Sequence, residues 1–550
     1  MGSFSQYKLI IRKQMGSFSQ YKLIIWLSIL LTTFYNFSFY KNFFLTYSFT
    51  GINILYAISI TIALFAFISF VLSLLSSKYI FKPFTILVLI ISSFAAYFMD
   101  TYNVVIDHSM IRNSLQTNIE ESFDLFSFQL ILYVVLLGII PSIFIYKVKI
   151  SYGNFKQESI KKIKILSLLF IIILVNVLSF SKFYTSFFRE HKTLRYYANP
   201  TFWMYSVMRY TKKTIYTGKI IVKEVGNDAK INEEVEDKKE LIIMVVGEAT
   251  RADRFSLNGY KRETNPLLNQ EEVYNFSKMA SCGTSTAHSV PCMFSKFDRD
   301  DYSYKKGITN ENVLDVLTHT KQVNVLWRDN NSDSKGVALR VKYEDFRSSK
   351  TNTICEKDGE CRDEGMLIGL DNYIEENKNG DILIVLHQMG NHGPAYYKRY
   401  PKEYEKFTPV CKTNQLEKCT VEEINNAYDN AILHTDAFLS KVINFLKPYS
   451  KNYETAMVYM SDHGESLGEN GLYLHGLPYF MAPDTQTHVA SLMWFGESMK
   501  EDLDVKKLNE IKDKPFSQDN LFHTMLGMFE VDTNIYKKDL DILSTIRNEE

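Results

Sequence analysis

The chain has 550 residues, and its 62 basic side chains balance its 62 acidic ones, so the formal net charge is zero. Without a net positive field, the composition gives no indication of nucleic-acid binding, and a hydrophobic content of 46% argues against a disordered chain. The charge is nevertheless unevenly distributed, because residues 1–183 contain 15 basic and only 6 acidic side chains. A basic front half therefore joins an acidic back half.

The extreme N-terminus contains a duplication. The segment Met1–Ile11 recurs unchanged at Met15–Ile25. A repeat of this length does not indicate a repeat fold. The hydrophobic segment that follows starts only in the second copy, so we interpret residues 1–14 as a duplicated start segment and expect them to be dispensable.

Five apolar runs follow in the front half, each close to the roughly 20 residues that a helix needs to cross a bilayer. Buried core helices are the alternative, but five such runs without an amphipathic partner would have nothing to pack against in water. We therefore predict a transmembrane domain of five helices over residues 15–183. The runs are Ile24–Tyr40, Ile52–Leu75, Phe84–Met99, Phe128–Tyr146 and Ile165–Phe180.

The short loops predict the orientation, since loops rich in lysine and arginine stay in the cytoplasm. Basic residues precede the first run, separate the second from the third, and fill the loop after the fourth, whereas the third loop is acidic. Five crossings from a cytoplasmic N-terminus place the back half outside the bacterial inner membrane. No small-residue cleavage site follows the first run, which therefore reads as an anchor and not as a signal peptide.

All six cysteines lie in the back half. Six reduced thiols or a metal site are alternatives, but the CxxC pairs of zinc ribbons are absent, and six cysteines formally allow fifteen pairings. Proximity favours three local disulfides, which need an oxidising compartment such as the periplasm, in agreement with the topology. The pairs are Cys282 with Cys292, Cys355 with Cys361, and Cys411 with Cys419.

The back half begins with a juxtamembrane connector, residues 184–240, in which aromatic and basic side chains suited to the headgroup zone precede a charged linker. From residue 241 to 550 we predict an α/β domain with a mixed sheet flanked by helices. Four short apolar runs indicate its main strands: Leu241–Val246, Val323–Trp327, Ile382–Leu386 and Ala456–Met460.

Three of these four runs end near side chains suited to a metal or a phosphate. Glu248 follows the first run, His392 lies just beyond the third, and Asp462 and His463 follow the fourth, with His475 twelve residues further on. Ligands of open α/β sheets lie beyond the carboxyl ends of the strands, and carboxylates and imidazoles are the ligands of catalytic zinc. Singly, each residue could be a helix cap or a structural pair, but the three clusters together favour a zinc site.

The sequence assigns no functional role to two further groups of polar residues. His387 ends the third run and either touches the site or only ends the strand. Asp429, His434 and Asp436 are expected on the surface of a helix, without a functional role.

A nucleophile is predicted in the segment Ser281–Cys292, which is rich in hydroxyl groups. A hydroxyl is a poor nucleophile at neutral pH unless a metal or a base removes its proton. On composition alone, an ordinary Ser/Thr turn is an equally good interpretation of this segment.

At this point the sequence resembles the phosphoethanolamine transferase family that modifies lipid A, which includes the polymyxin-resistance enzymes and belongs to the alkaline-phosphatase-like, sulfatase superfamily. The resemblance covers the chain from about Met15 onward. Its motifs occur in the family order: Gly247-Glu248-Ala249-Thr250-Arg251, Asn258-Gly259-Tyr260, Ser281–Cys292, Trp327-Arg328-Asp329-Asn330-Asn331, Lys335-Gly336, His392-Gly393-Pro394, Ser461-Asp462-His463-Gly464-Glu465-Ser466-Leu467-Gly468 and Leu474-His475-Gly476-Leu477-Pro478.

The resemblance implies the roles of individual residues. Thr286 would be the nucleophile, and Glu248, Thr286, Asp462 and His463 would bind Zn²⁺. The substrate phosphate would be held by Asn331, Lys335, His392 and His475. Two positions depart from the family pattern: Ala249, where members often carry a hydroxyl, and His288, where they often carry an aromatic or aliphatic residue.

The resemblance also implies the reaction and the partners. A phosphoethanolamine group would move from phosphatidylethanolamine to the threonine, with release of diacylglycerol, and then to lipid A, lipooligosaccharide, or another acceptor such as a core sugar or a surface protein. We expect a monomer in the inner membrane with a periplasmic catalytic domain. The acidic third loop resembles the family's periplasmic loop, which is expected to help admit lipid; its residues are Ile106, Asp107, His108, Met110, Asn113 and Thr117.

Two other functions are alternatives. One is a phosphoglycerol transferase or a sulfatase-like hydrolase on a similar membrane anchor, against which the Cys282–Cys292 loop and the segment His392-Gly393-Pro394 argue. The other is a membrane sensor without catalytic activity, which would have no need for Thr286 beside a zinc-binding set.

Overall fold

The structure, a computed structural model, describes residues 18–116, 125–189, 191, 193–215, 221–231, 238–356 and 359–547. It forms two compact units: one comprises the described residues of 1–111 and 126–212, and the other those of 112–125 and 213–550. The duplicated start segment, residues 1–14, lies outside the described residues. The domain boundaries at residues 183 and 240 stay predictions.

The described part of the first 215 residues is helical. Four of its helices are long and apolar enough to cross a membrane, and the pair α1–α2 makes a fifth if it is one span. Four of the predicted runs each fall within one of these helices, to within one residue, and the first predicted run is divided between α1 and α2. The helices are α1 (Gln20–Phe34), α2 (Phe37–Thr46), α3 (Ile52–Leu74), α4 (Phe81–Tyr102), α5 (His108–Gln116), α6 (Phe128–Lys147), α7 (Phe155–Ser179), α8 (Ser181–Arg189) and α9 (Thr201–Ile215).

The first membrane segment is bent by 55° between α1 and α2. A break in a helix frees backbone groups that need other partners in an apolar environment. Asn36 lies at this break, where its Nδ2 donates to Leu31 O at 2.8 Å and to Asn199 O at 2.6 Å. Asn199 N donates to Asn36 Oδ1 at 2.8 Å in return. The side chain of Asn36 therefore gives a backbone carbonyl near the break a hydrogen-bond donor and links the break to the segment before α9.

The second unit is built on a seven-stranded sheet. Its strands are β1 (Lys239–Gly247), β2 (Val273–Asn275), β3 (Val323–Asp329), β4 (Lys342–Asp345), β5 (Asp381–His387), β6 (Tyr453–Ser461) and β7 (Ser491–Phe495). Their order across the sheet is β2-β7-β6-β1-β5-β3-β4. β6, β1, β5, β3 and β4 are mutually parallel, and β7 is antiparallel to β6 and β2. The predicted mixed sheet is confirmed.

The central strands are continuous apolar runs because both faces of the sheet are covered. Residues 241–246 of β1 and 382–386 of β5 are fully buried, which is typical of parallel strands between two layers of helices. The helices of this unit are α10 (Thr286–Met293), α11 (Tyr304–Ile308), α12 (Val313–His319), α13 (Leu370–Glu376), α14 (Val421–Leu446), α15 (Asp484–Thr487), α16 (Glu497–Glu501), α17 (Val505–Ile511) and α18 (Leu521–Met528).

Short strands complete both units. In the first unit Phe18–Ser19 pairs with Ile150–Ser151. In the second, Met279–Ala280 lies between His488–Val489 and Phe516–Ser517, Ser466–Leu467 pairs with Tyr473–Leu474, and Lys230–Ile231 pairs with Val531–Asp532.

The expectation of a surface position for three residues of α14 is wrong. Asp429, His434 and Asp436 are buried. Each has polar partners: Arg262 pairs with Asp429 at 2.8 Å, and the amides of residues 267 and 268 donate to Asp436. The helix is covered on most of its circumference, which its mixed polar sequence did not indicate.

The pair Glu364–His434 makes stability depend on pH. Burial raises the pKa of Glu364, but His434 at 3.0 Å and Lys441 at 2.9 Å outweigh burial and lower it to about 2. Because this is below the ordinary value of 4.5, the ionised carboxylate contributes stability that is fully present above pH 4.5 and is lost as the pH falls toward 2.

We therefore expect Glu364→Gln to lower the free energy of unfolding at pH 7. The difference from wild type should shrink by about 1 kcal/mol per pH unit below 4.5. Thermal unfolding of the detergent-solubilised chain between pH 3.5 and 8 measures this, with the exposed Glu376→Gln as control. A difference that stays constant across this range would contradict the linkage.

Candidate active site

The strand order brings the predicted site residues to one edge of the sheet. In the register, Ser461 of β6 lies beside Gly247 of β1, and His387 of β5 lies beside both Val246 and Asp329. The residues that follow these strands therefore meet at the shared carboxyl edge.

A fully buried cluster of Glu248, Asp462 and His463 occupies this edge. His463 Nε2 lies 3.3 Å from Glu248 Oε1 and 3.3 Å from Asp462 Oδ2. His463 Nδ1 lies 2.9 Å from Gly464 O, so Nδ1 serves as the donor and Nε2 faces the carboxylates. Ala249 adopts a left-handed conformation with φ 53°, and its N–H donates to Asp462 Oδ1 at 3.1 Å.

The cluster has strongly perturbed acid–base properties. Burial disfavours the charged imidazole, but the carboxylates of Asp462 and Glu248 raise the pKa of His463 to about 10. Burial and the neighbouring Glu248 raise the pKa of Asp462 to about 6. Burial would raise the pKa of Glu248 as well, but the nearby charge of His463 lowers it. Two buried carboxylates thus compete for one cation.

The donor set fits a divalent metal. The candidate ligand atoms of Glu248, Asp462 and His463 all lie within 4.8 Å of one another. Glu248 Oε1 and Asp462 Oδ2 have no hydrogen-bond partner within the described residues, although both are buried. Buried carboxylate oxygens without donors are costly, and a cation between them removes that cost. Two oxygens and one imidazole nitrogen match the preferences of catalytic zinc.

The predicted nucleophile, Thr286, is the first residue of α10 and lies against this cluster. Its Oγ1 donates to Glu248 Oε2 at 3.0 Å and lies 3.4 Å from His463 Nε2. The side chain is buried, with 8% of its surface exposed. The N-terminus of a helix also favours developing negative charge nearby. The hydroxyl is therefore placed beside a proton acceptor and a helix N-terminus, and within reach of a metal if the cluster holds one.

The loop that carries Thr286 is fixed by a disulfide and by hydrogen bonds. The Cys282–Cys292 disulfide closes it, and the other two predicted disulfides are also present. Cys282 N donates to Gln518 Oε1 at 2.6 Å, while Gln518 Nε2 donates to the carbonyls of Ser461 and Asp462. Sequence reasoning missed Gln518, because nothing in its neighbourhood signals contact with a strand end far away in the chain.

We expect removal of this disulfide to loosen the nucleophile loop selectively. In a Cys282→Ala/Cys292→Ala variant, amide hydrogen exchange should rise at residues 283–290, because the covalent link across them is lost. Transfer should fall at the same time. The matched control is Cys411→Ala/Cys419→Ala, which removes a disulfide of similar span elsewhere. Unchanged exchange at residues 283–290 in the first variant would show that the loop is fixed by other contacts.

A second group lies next to the cluster. Glu465 Oε2 accepts from His475 Nδ1 at 2.8 Å, and Glu465 Oε1 accepts from Tyr396 OH at 2.7 Å. The ring of His475 lies 4.2 Å from that of His463 and 5.9 Å from that of His392. The structure therefore brings His392 and His475 together, and their role as phosphate ligands stays a prediction. Glu465 and Tyr396 were missed; only the position of Glu465 within the segment after Asp462 could have indicated it.

The other two predicted phosphate ligands lie on the loop after β3. Asn331 Nδ2 donates to Glu248 Oε2 and to Gln388 O, both at 2.8 Å. Its amide protons therefore hold Glu248. Lys335 is buried, and its Nζ lies 3.0 Å from Ser332 O.

His387 is buried at the end of β5. Its Nδ1 lies 2.9 Å from Asp329 Oδ2, and its ring packs edge-on against Trp327. Its Nε2 has no hydrogen-bond partner within the described residues. His288, the second departure from the family pattern, packs its ring against Tyr302 at 5.2 Å.

Part of the third loop belongs to the second unit. Asn113 Oδ1 lies 3.5 Å from Ser285 Oγ, the residue before the predicted nucleophile, and the guanidinium of Arg112 lies 4.7 Å from the ring centre of Tyr304. Asp107 Oδ1 accepts from Met110 N at 2.8 Å at the start of α5. Thr117 lies outside the described residues.

Comparisons with known proteins agree with this architecture. A sulfatase family profile matches residues 240–531, and a profile for phosphoethanolamine transferase EptA/EptB matches residues 64–215. Phosphatidylethanolamine transferase Mcr-2 of Escherichia coli is 42% identical over 92% of this chain and 94% of its own length. Phosphoethanolamine transferase EptA of Escherichia coli K12 is 39% identical over 94% of this chain and 96% of its own length. The solved structure of the integral membrane lipooligosaccharide phosphoethanolamine transferase A of Neisseria meningitidis superposes with a TM-score of 0.93 at 34% identity. The superposition covers 96% of this chain and 99% of that one.

The fold and the buried carboxylate–imidazole cluster define a membrane-anchored enzyme of the alkaline-phosphatase-like superfamily. Within it, the chain belongs to the phosphoethanolamine transferase family. The predicted multi-pass membrane anchor and periplasmic catalytic domain are thereby confirmed, and a sensor without catalytic activity is excluded.

Proposed function

We propose that the chain transfers phosphoethanolamine from phosphatidylethanolamine to lipid A through a covalent intermediate on Thr286. The observation that carries this proposal is the position of Thr286 Oγ1, 3.0 Å from a buried carboxylate and 3.4 Å from a buried imidazole at the start of a helix. The names of the relatives, which are phosphoethanolamine transferases, support phosphoethanolamine as the group that is transferred. The enzyme acts as a monomer in the inner membrane.

Glu248, Asp462, His463 and Thr286 would hold a zinc ion. When bound, it lowers the pKa of the threonine hydroxyl and withdraws negative charge from the phosphoryl group. Zinc is favoured because the donors are two carboxylates and one imidazole.

The first step breaks the bond between phosphorus and the diacylglycerol oxygen and forms one between phosphorus and Thr286 Oγ1. Glu248 Oε2, which already accepts the hydrogen bond of that hydroxyl, takes its proton. Diacylglycerol leaves with a proton taken from water, and Glu248 keeps the proton of the threonine. Negative charge on the phosphoryl oxygens is stabilised by Lys335, His392, His475 and the N-terminus of α10, with Asn331 holding Glu248 in place.

In the second step an acceptor hydroxyl or phosphate attacks the same phosphorus, and the bond between phosphorus and Thr286 Oγ1 breaks. Glu248 returns the proton to Thr286, and the proton of an acceptor hydroxyl passes to water. The third loop, which reaches Ser285 through Asn113, helps admit lipid to the site. A membrane anchor suits this reaction because donor and acceptor are both lipids.

The proposal is tested by expressing the chain in a bacterium that lacks its own phosphoethanolamine transferases. Mass spectrometry should find phosphoethanolamine on lipid A, and a labelled donor should yield diacylglycerol in equal amount. If core sugars or surface proteins carry phosphoethanolamine while lipid A stays unmodified, lipid A is not the acceptor. Release of diacylglycerol without any modified acceptor would indicate a hydrolase of the same superfamily.

A further inference from the structure

Asp363 is a buried carboxylate outside the candidate active site that accepts four hydrogen bonds. Oδ1 accepts from Asn330 Nδ2 at 2.8 Å and Met389 N at 2.9 Å. Oδ2 accepts from Gly390 N at 3.1 Å and Gln388 Nε2 at 3.3 Å. These donors come from two separate segments, the loop after β3 and the turn after β5.

Both segments hold Glu248. From the loop after β3, Asn331 Nδ2 bridges Glu248 Oε2 and Gln388 O, both at 2.8 Å. From the turn after β5, Asn391 N donates to Glu248 O at 3.1 Å. Glu248 is thus held at its side chain by one segment and at its backbone by the other.

The turn lies directly against Glu248. Gly390 adopts φ +49°, and a Cβ at this position would lie 3.0 Å from Glu248 O and 3.2 Å from both Glu248 N and Cβ. The turn therefore approaches the backbone of Glu248 closely enough that a shift of a few tenths of an ångström would move it.

Asp363 is itself anchored. It follows the Cys355–Cys361 disulfide and begins a short 3₁₀ helix, Asp363–Leu367. Asn330 Nδ2 donates to Cys361 O at 3.0 Å as well as to Asp363. The carboxylate thus connects a cross-linked segment to the two segments that hold Glu248.

We propose that Asp363 is a positioning residue for Glu248, acting through the loop after β3 and the turn after β5. Four donors converge on two oxygens, and only a carboxylate can accept all four. The inference rests on the proposed function in one respect: Glu248 is taken as a metal ligand. Ligands of metals are oriented by such outer contacts, whose loss typically weakens metal binding 10–100-fold.

The test is Asp363→Asn in the full-length, detergent-solubilised protein. The amide keeps the size of the carboxylate but turns an NH₂ group toward two of the four donors. We expect the zinc dissociation constant to rise about 10-fold or more, measured by competition with a chromophoric chelator, and transfer to fall. The matched control is Asp436→Asn, which also removes a buried carboxylate that accepts two backbone amides, at 3.0 and 2.9 Å, on α14. It should lower the melting temperature without changing zinc affinity.

A second variant reaches the same contact without altering Asp363. Gly390→Ala places a methyl group against Glu248 and should also weaken zinc binding, so it decides the question if Asp363→Asn does not fold. Wild-type zinc affinity in either folded variant would overturn the inference. A wild-type chain that binds no zinc would reject both the metal site and the positioning role. If both variants weaken zinc binding but the wild-type chain transfers no phosphoethanolamine, the positioning role is supported and the proposed reaction is rejected.

Discussion

Thr286→Ala is expected to abolish phosphoethanolamine transfer, with a loss of roughly 10⁴-fold or more, while the protein still folds. The change removes the atom that would bond to phosphorus. It creates no new unpaired acceptor, because Glu248 Oε2 keeps the hydrogen bond from Asn331 Nδ2. Transfer is measured as release of labelled diacylglycerol from phosphatidylethanolamine, and folding as the melting temperature.

Three further measurements make this result specific. Thr286→Ser keeps a hydroxyl and should keep part of the activity. Thr524→Ala removes another buried hydroxyl, one that donates to Asn520 O at 2.9 Å and accepts from Ile542 N at 3.0 Å, and should cost stability but not transfer. Wild type given donor alone should accumulate a phosphoethanolamine adduct on the peptide containing Thr286. More than a few per cent of wild-type activity in Thr286→Ala would exclude the threonine as nucleophile.

Asp462→Asn is expected to raise the zinc dissociation constant roughly 100-fold or more and to reduce transfer accordingly, because a first ligand matters at least as much as an outer contact. The oxygen that accepts from Ala249 N and His463 N can be kept by the amide, so the local backbone has no reason to move. What changes is Oδ2, whose place an NH₂ group takes. An NH₂ group cannot bind a cation.

Asp381→Asn is the matched control, since Asp381 is equally buried and begins β5 at the opposite edge of the same sheet. It should leave zinc affinity unchanged. Chelator competition at pH 7 gives the affinities, and transfer in excess zinc shows whether the metal restores activity. Equal affinities for wild type and Asp462→Asn would remove Asp462 from the metal site.

Much of the candidate active site could be predicted from the sequence, because the residues that follow parallel strands meet at one edge of the sheet. Glu248, Asp462 and His463 each follow an apolar run directly, and parallel runs deliver their carboxyl ends to one edge. The hydroxyl segment before α10 could not be placed by its own pattern, and only the family resemblance pointed to Thr286.

The residues that could not be predicted from the sequence form contacts between segments that lie far apart in the chain. Gln518 joins the nucleophile loop to the end of β6, and Asp363 joins two loops that hold Glu248. Neither follows a strand of the seven-stranded sheet or carries a periodic pattern, so only the folded chain shows their partners. The bend between α1 and α2 had a local signal in Asn36, a polar residue within an apolar run, but its partner Asn199 lies far along the chain.

The strand order has a consequence for how the enzyme matures. β1 lies between β5 and β6, and β6 is the strand that leads to Asp462, more than 200 residues after Glu248 in the chain. The proposed metal site therefore cannot assemble while the chain is still crossing the membrane, and closing such long-range pairs is slow. Premature activity in a partly exported chain is excluded by topology alone. Because metal binding adds to the stability of a folded chain only, zinc uptake would report that the last central strand has entered the sheet.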